Sequence, residues 1–199
     1  MTKRYDEAYF NRWYRDPRHR VTTPAGVRRK VRLALGVAEA LLERPVKRVL
    51  DVGCGEGAWR SHFLDERPGV EYVGVDSSDY VVRRFGRTRG IRAGTFGSLD
   101  EIGLTGRFDL IVCCDVMQYL PNDELARGLR AIAERLAGAA YLEAFTTADE
   151  LEGDKRHWHH RTSAWYRQAF RDAGLTAVGM HCYVGDAMRG ATLALERAE

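Results

Sequence analysis

The segment Val49-Leu50-Asp51-Val52-Gly53-Cys54-Gly55-Glu56-Gly57 constrains this chain more than any other. An apolar run stops just past an acidic residue, three alternate glycines follow, and the pattern then turns helical. Glycine reaches left-handed backbone at low cost and lets a second molecule approach without striking a Cβ atom. A strand that ends in such a turn and feeds a helix opens an α/β unit. In open α/β sheets, ligands bind in the crevice at the carboxyl ends of the strands. The same residues also read as Gly53-x-Gly55-x-x-Ala58, a dinucleotide fingerprint, so the turn alone leaves more than one nucleotide class open.

The rest of the chain alternates strand and helix. An aromatic helix is expected over 5–15. Thr23 followed by Pro24 is a cap and first-turn pair, and Val27, Val31, Leu35, Ala38 and Leu42 recur at helical spacing, so a long helix should reach about Glu43. Strands are expected over 46–52, 70–75, 91–93, 108–113 and 139–145, with helices over 57–66, 78–86, 122–136 and 162–173 between them. Phe108 to Cys113 has one acidic break in a continuous apolar run, the mark of a strand buried on both faces. Gly174 should cap the last helix. Two final strands are expected over 175–184 and 191–195. The six residues between them are too few for a crossover, so the pair should be an antiparallel hairpin. The expected fold is α/β: a Rossmann-like three-layer sandwich around a seven-stranded, mostly parallel sheet with an antiparallel C-terminal hairpin. Residues 1–44 should form a helical arm or lid, and 45–199 the ligand-binding domain, within one domain overall.

Three features separate the readings of the glycine turn. Asp51 lies two residues before the first glycine, the glycines follow Gly-x-Gly-x-Gly spacing, and the second strand ends in Val73-Gly74-Val75-Asp76. With Phe108-Asp109-Leu110-Ile111-Val112-Cys113-Cys114-Asp115-Val116-Met117-Gln118-Tyr119-Leu120, the chain from about Val46 onward resembles the class I S-adenosylmethionine-dependent methyltransferases. The resemblance implies that S-adenosylmethionine binds and S-adenosylhomocysteine leaves. It implies that Asp51, Gly53, Cys54, Gly55 and Gly57 line the cofactor and that Asp76, with Ser77 beside it, holds the ribose hydroxyls. Cys114 and Asp115 should approach the methionine end. One place departs from the pattern: an acidic residue is common after the third strand, and this chain has Ala93-Gly94-Thr95-Phe96. Thr95, or a backbone group, is the expected adenine hydrogen-bond partner instead, with Phe96 packing on the ring.

Methyl transfer from a sulfonium needs an acceptor held in line with the S–CH₃ bond, a base where the acceptor carries a proton, and no metal. The run Lys155-Arg156-His157-Trp158-His159-His160-Arg161 follows the fifth strand, at the mouth of such a site. His157 and His160 are therefore the candidate bases, and His159 a substrate contact. Tyr119 joins His159 in that role. Tyr5, Tyr9, Phe10, Trp13 and Tyr14 form a dense aromatic cluster suited to a lid that excludes water, or to an amphipathic helix packed on the body.

Charge is uneven. Residues 1–32 hold ten Lys or Arg against three Asp or Glu, while the whole chain carries a formal charge of +3. Arg12, Arg15, Arg18 and Arg20 in the arm suit an anionic group, or a solvated helical face. No apolar run approaches the length of a membrane helix, and Met1 to Phe10 lacks the apolar core of a signal peptide. Cys54, Cys113, Cys114 and Cys182 lack zinc-site spacing and read as reduced thiols, so a cytoplasmic monomer or homodimer is expected.

The place after the fourth strand lacks the Asn/Asp-Pro-Pro-aromatic pattern of base-amino methylation, so a small-molecule acceptor is favoured over nucleic acid. Three alternatives stay open: an RNA or protein methyltransferase using the basic arm, a non-catalytic S-adenosylmethionine-binding protein, and an NAD-dependent oxidoreductase. The last would need a Tyr-x-x-x-Lys pair. Tyr80 is followed four residues later by Arg84, and Tyr119 by Asp123.

Overall fold

A computed structural model describes residues 4–150 and 153–198. The outermost residues of the expected arm and of the expected binding domain, 1–3 and 199, lie outside the described residues.

The arm opens with α1 (Glu7–Phe10), capped by the Asp6 carboxylate on the Tyr9 N–H, and continues as a π-helical turn over Asn11–Arg15. The long helix α2 (Pro24–Leu42) begins as expected: the Thr23 hydroxyl accepts from the Gly26 N–H, and Pro24 occupies the first turn. There follow β1 (Arg48–Val52), α3 (Ala58–Glu66), β2 (Glu71–Asp76), α4 (Asp79–Arg89), β3 (Ile91–Ala93), β4 (Phe108–Cys114), α5 (Asn122–Arg135), β5 (Leu136–Glu143), α6 (Ser163–Asp172), β6 (Leu175–Gly179), β7 (Cys182–Gly185) and the short α7 (Asp186–Arg189).

The seven strands form one sheet in the order β3-β2-β1-β4-β5-β7-β6. β1 pairs in parallel with β2 and β4, β2 with β3 and β4 with β5, while β7 runs antiparallel to both β5 and β6. The expected fold class is borne out.

Strand alternation divides the core. Ile111 and Cys113 of β4 face the layer of α5 and α6, packing with Leu125, Leu129, Ile132 and Phe170. Leu110 and Val112 face the opposite layer, with Val31, Leu35 and Ala38 of α2 and Trp59 and Phe63 of α3. Both sets are fully buried, which is why β4 reads as an apolar run without polar alternation. Because α2 fills one face of this core, the covering segment outside the sandwich is the stretch before Pro24.

The C-terminal hairpin lies elsewhere than expected. Both of its strands come from the single run expected over 175–184, and its turn is Met180-His181, each residue with positive φ (49° and 65°). Two successive left-handed residues give the twist a tight hairpin requires. Glycine or asparagine usually announces such a turn; here the only such signal is Gly179, just before it. The expected seventh strand over 191–195 is not one. Leu193 and Leu195 are exposed, and only an isolated bridge from Ala177 to Ala198 forms near that end. The connection over 185–190 is instead largely α7.

Candidate cofactor and acceptor site

The carboxyl ends of β1, β2 and β4 meet at the glycine loop. Gly53 and Gly55 take positive φ (70° and 52°). A Cβ atom on Gly53 would stand 2.4 Å from Val116 Cγ2, and one on Gly55 would stand 3.0 Å from Phe10 Cε1. The loop is anchored by the N–H groups of Gly53 and Cys54, which both donate to Val75 O.

Asp76, at the tip of β2, is buried. Its Oδ2 accepts the Gly55 N–H at 2.7 Å and its Oδ1 the Ser78 N–H at 2.9 Å. Burial pushes its pKa up, opposed by hydrogen bonds from the backbone of Ser78, Gly55 and Ser77. Asp51, at the end of β1, accepts from the Tyr72 hydroxyl at 2.8 Å. Burial drives its pKa up to about 7, the Tyr72 bond holds it down, and the Asp76 charge adds to the rise.

Behind the loop, Glu143 at the end of β5 collects three donors. Lys30 Nζ of α2 stands 2.7 Å from Oε1, the Tyr141 hydroxyl 2.6 Å from Oε2, and Cys114 Sγ 3.4 Å from Oε1. Burial works to raise the Glu143 pKa, but the bonds from Lys30 and Tyr141 outweigh it and the carboxyl sits below its ordinary value. Burial pushes the Cys114 thiol up, so it stays protonated.

Asp115 follows β4 with φ 60°, the left-handed region that Asp tolerates better than most residues. Its N–H donates to Glu143 O at 3.3 Å, and the buried Gln118 donates from Nε2 to its Oδ1.

The arm lies across the loop. Phe10 is buried against Tyr80, Tyr9 and Tyr14. Arg15 pairs with Glu56, which also accepts from the Tyr80 hydroxyl, and Ser78 Oγ donates to Tyr5 O.

Two cavities open on either side of this arm. One, of about 280 Å³, runs past Asp76, Ser77, Thr95 and Phe96 toward Tyr5, Tyr9, Tyr119 and Glu124. The other, of about 290 Å³, runs past Asp51, Cys54 and Trp59 toward Lys30, Cys114, Glu143 and Glu150. They share one wall, made of Phe10, Tyr14, Gly53, Gly55 and Asp115.

Most of the residues singled out in the sequence are thus brought together: Asp51, Gly53, Cys54, Gly55, Asp76, Ser77, Thr95, Phe96, Cys114 and Asp115, with Tyr5, Tyr9, Tyr14 and Tyr119. Others are not. Gly57 is the left-handed cap that starts α3, with φ 77°, and lines neither cavity. Trp13 packs edge-on against His19. His157, His159 and His160 are exposed and line neither cavity; His160 lies against Trp158. Their segment is pinned by its neighbour Arg161, which is buried and donates to Met117 O, Leu120 O and Asn122 Oδ1. Phe96 reaches the cavity wall because residue 128 of α5 is glycine: a Cβ atom there would stand 2.1 Å from the Phe96 ring.

Sequence reasoning missed Lys30, Glu143 and Gln118. Lys30 belongs to a basic helix, Glu143 ends an apolar strand and Gln118 follows one, so only the assembled sheet shows that they converge.

Residues 26–180 match a family model described as a methyltransferase domain. The chain belongs to this methyltransferase-domain family. A segment of 80 residues is 31% identical to trans-aconitate 2-methyltransferase of Deinococcus radiodurans, covering 40% of this chain and 31% of that protein, so the matched segment spans about a third of the relative's length. Among solved structures, DesVI of Streptomyces venezuelae superposes with a TM-score of 0.64 at 16% identity, covering 81% of this chain and 91% of that one. S-adenosylmethionine-bound CalS10 of Micromonospora echinaspora, an amino pentose methyltransferase, superposes with a TM-score of 0.62 at 17% identity, covering 79% and 89%. At these identities the likeness establishes the shared fold.

The methyltransferase cofactor fits the donors present. Asp76 offers a buried carboxylate with acceptor capacity beyond its two backbone bonds, as a ribose diol needs. Gly53 and Gly55 add no side chain of their own to the wall between the cavities, and the aromatic rings beside them suit a purine and a sulfonium. No described helix is long and apolar enough to cross a membrane.

Proposed function

We propose that this chain transfers a methyl group from S-adenosylmethionine to a small-molecule acceptor. The observation that carries this reading is the pair of cavities meeting at Gly53, Gly55 and Asp115. Asp76, with Thr95 and Phe96, would hold the adenosyl part, and the loop would let the methionine part pass toward Asp51 and Cys114. The bound cofactor supplies an activated methyl group. The protein's own contribution is position and exclusion of water, and positioning alone is worth roughly 7–11 kcal/mol of such a barrier. Phe10, Tyr9 and Tyr14 form the roof, so the arm acts as the lid.

A compact acceptor suits this roofed space better than a polymer does. The arm arginines support that view, since none lines either cavity. Arg15 is paired with Glu56 and Arg18 with Asp16, while Arg12 lies over Trp13. Two similar proteins also carry names that refer to small acceptors, trans-aconitate and an amino pentose.

The test is incubation with methyl-labelled S-adenosylmethionine and, in parallel, a size-filtered metabolite extract, total RNA and a protein extract. Label should appear in the small-molecule fraction. Label confined to RNA or protein would contradict the reading.

A further inference from the structure

We propose that the acceptor is a basic amine, bound as its ammonium ion, and that Asp115 is the group that holds it and takes its proton. This rests on the methyl-transfer reading above and names its substrate class.

The first support is the sign of the charge around the site. The cavity beside Asp76 is lined by Asp76, Asp115 and Glu124 and, among the described residues, by no Lys, Arg or His. The cavity beside Asp51 adds Glu56, Glu143 and Glu150, against Lys30 alone among the described residues. Lys30 is committed to Glu143 at 2.7 Å. Even with Glu143 and Glu56 paired, the balance is acidic, and low-dielectric walls strengthen that field. With Asp76 taken by the ribose and the sulfonium of the donor in the crevice, Asp115 and Glu124 remain to face an acceptor in that cavity, and two carboxylates suit an ammonium ion rather than an anion.

The second support is the place of Asp115. The cofactor must span both cavities, with its ribose at Asp76 in one and its methionine part in the other. The reacting centre then falls at the wall that the cavities share. Of the five residues in that wall, two are glycines and two are the aromatics Phe10 and Tyr14, so Asp115 is the titratable carboxylate there. Its left-handed backbone, φ 60°, is an uncommon conformation that the chain maintains at this point. Gln118, fully buried, steadies the carboxylate from Nε2. Tyr5, Tyr9 and Tyr119 ring the same space, and their faces attract cations.

An ammonium nitrogen has no lone pair with which to attack. One N–H proton passes to the Asp115 carboxylate, and the freed lone pair forms the new N–CH₃ bond. The electron pair of the breaking C–S bond stays on sulfur, which becomes the neutral thioether of S-adenosylhomocysteine. The product leaves as the methylated ammonium ion, and Asp115 returns its proton to water.

The experiment uses the full chain saturated with S-adenosylhomocysteine, so a change in cofactor affinity does not enter. Thermal unfolding is followed with methylammonium or ethylammonium chloride, against sodium acetate or propionate at equal ionic strength. The ammonium ions should raise the unfolding temperature and the carboxylates should not. Asp115→Asn, which tolerates the same left-handed backbone, should lose the ammonium effect while still binding S-adenosylhomocysteine. In the methyl-labelling assay, primary amines should accept label with the wild type and at least tenfold more slowly with Asp115→Asn. Absence of any ammonium effect, an equal effect from the carboxylates, or an effect that survives in Asp115→Asn would overturn the proposal. Failure to bind S-adenosylhomocysteine at all would instead count against the methyl-transfer reading beneath it.

Discussion

Asp76 reaches from the tip of β2 to the backbone N–H of Gly55, 2.7 Å from Oδ2, so the carboxylate proposed to hold the ribose also braces the glycine loop. Removing it should have two effects. Asp76→Ala should raise the dissociation constant for S-adenosylhomocysteine more than tenfold, since charge-assisted hydrogen bonds are worth about 1.5–3 kcal/mol each. It should also lower the unfolding temperature by a few degrees, because two N–H groups lose their acceptor. Calorimetry and thermal unfolding read these separately. Because burial raises the Asp76 pKa and the ionised form accepts the diol, affinity should fall as pH is lowered through that pKa.

Gly53 and Gly57 make a matched pair. Both have positive φ, at 70° and 77°, so alanine at either carries the left-handed penalty of about 1–2 kcal/mol. Gly53 lines both cavities, and a Cβ there would stand 2.4 Å from Val116 and press that side chain toward one of them, whereas Gly57 lines neither and its nearest atom would be 3.6 Å away. Gly53→Ala should therefore abolish S-adenosylhomocysteine binding, while Gly57→Ala should lose stability and keep binding. Equal loss of binding in both would show that loop strain, not access, governs the site.

Asp51 predicts a pH dependence of stability. Its folded pKa, about 7, lies above the ordinary carboxyl value because of burial. A group with a raised folded pKa contributes stability below its unfolded pKa and loses it as pH rises through the folded one. The unliganded protein should thus lose part of its stability between about pH 4 and pH 7. Asp51→Asn keeps an acceptor for the Tyr72 hydroxyl and should flatten that slope. An unchanged slope in the variant would place the titration elsewhere.

Deleting residues 1–20 removes Phe10, Tyr14 and the Arg15–Glu56 pair, but leaves α2 and its core contacts in place. The truncated chain should stay folded by circular dichroism, lose turnover and bind S-adenosylhomocysteine more weakly. Amide exchange in the arm should slow when ligand is present in the intact chain. Full activity after truncation would reduce the arm to surface packing.

The sheet and most of the residues that line the two cavities are legible in the sequence because each depends on a local signal. Glycine spacing marks the loop, an acidic strand end marks Asp76, and a continuous apolar run marks β4. The hairpin was misplaced because its turn uses Met180 and His181, whose side chains do not announce left-handed backbone. His157, His159 and His160 stand out by their chemistry and their place after β5, but the buried fork of Arg161 sets how that segment lies. Lys30 and Glu143 stand 113 residues apart, and no local pattern pairs them. The motif after β4 marks Asp115 as a neighbour of the cofactor's methionine end. Its place in the wall between two cavities follows from how the arm divides the crevice, which is a tertiary fact.

Binding of the methyl donor across Asp76 and the glycine loop is checked by calorimetric titration of the full chain with S-adenosylhomocysteine and, separately, with NAD. One S-adenosylhomocysteine should bind per chain, binding should be lost in Gly53→Ala, and NAD should give no saturable heat. Saturable NAD binding without S-adenosylhomocysteine binding would contradict binding of the methyl donor there.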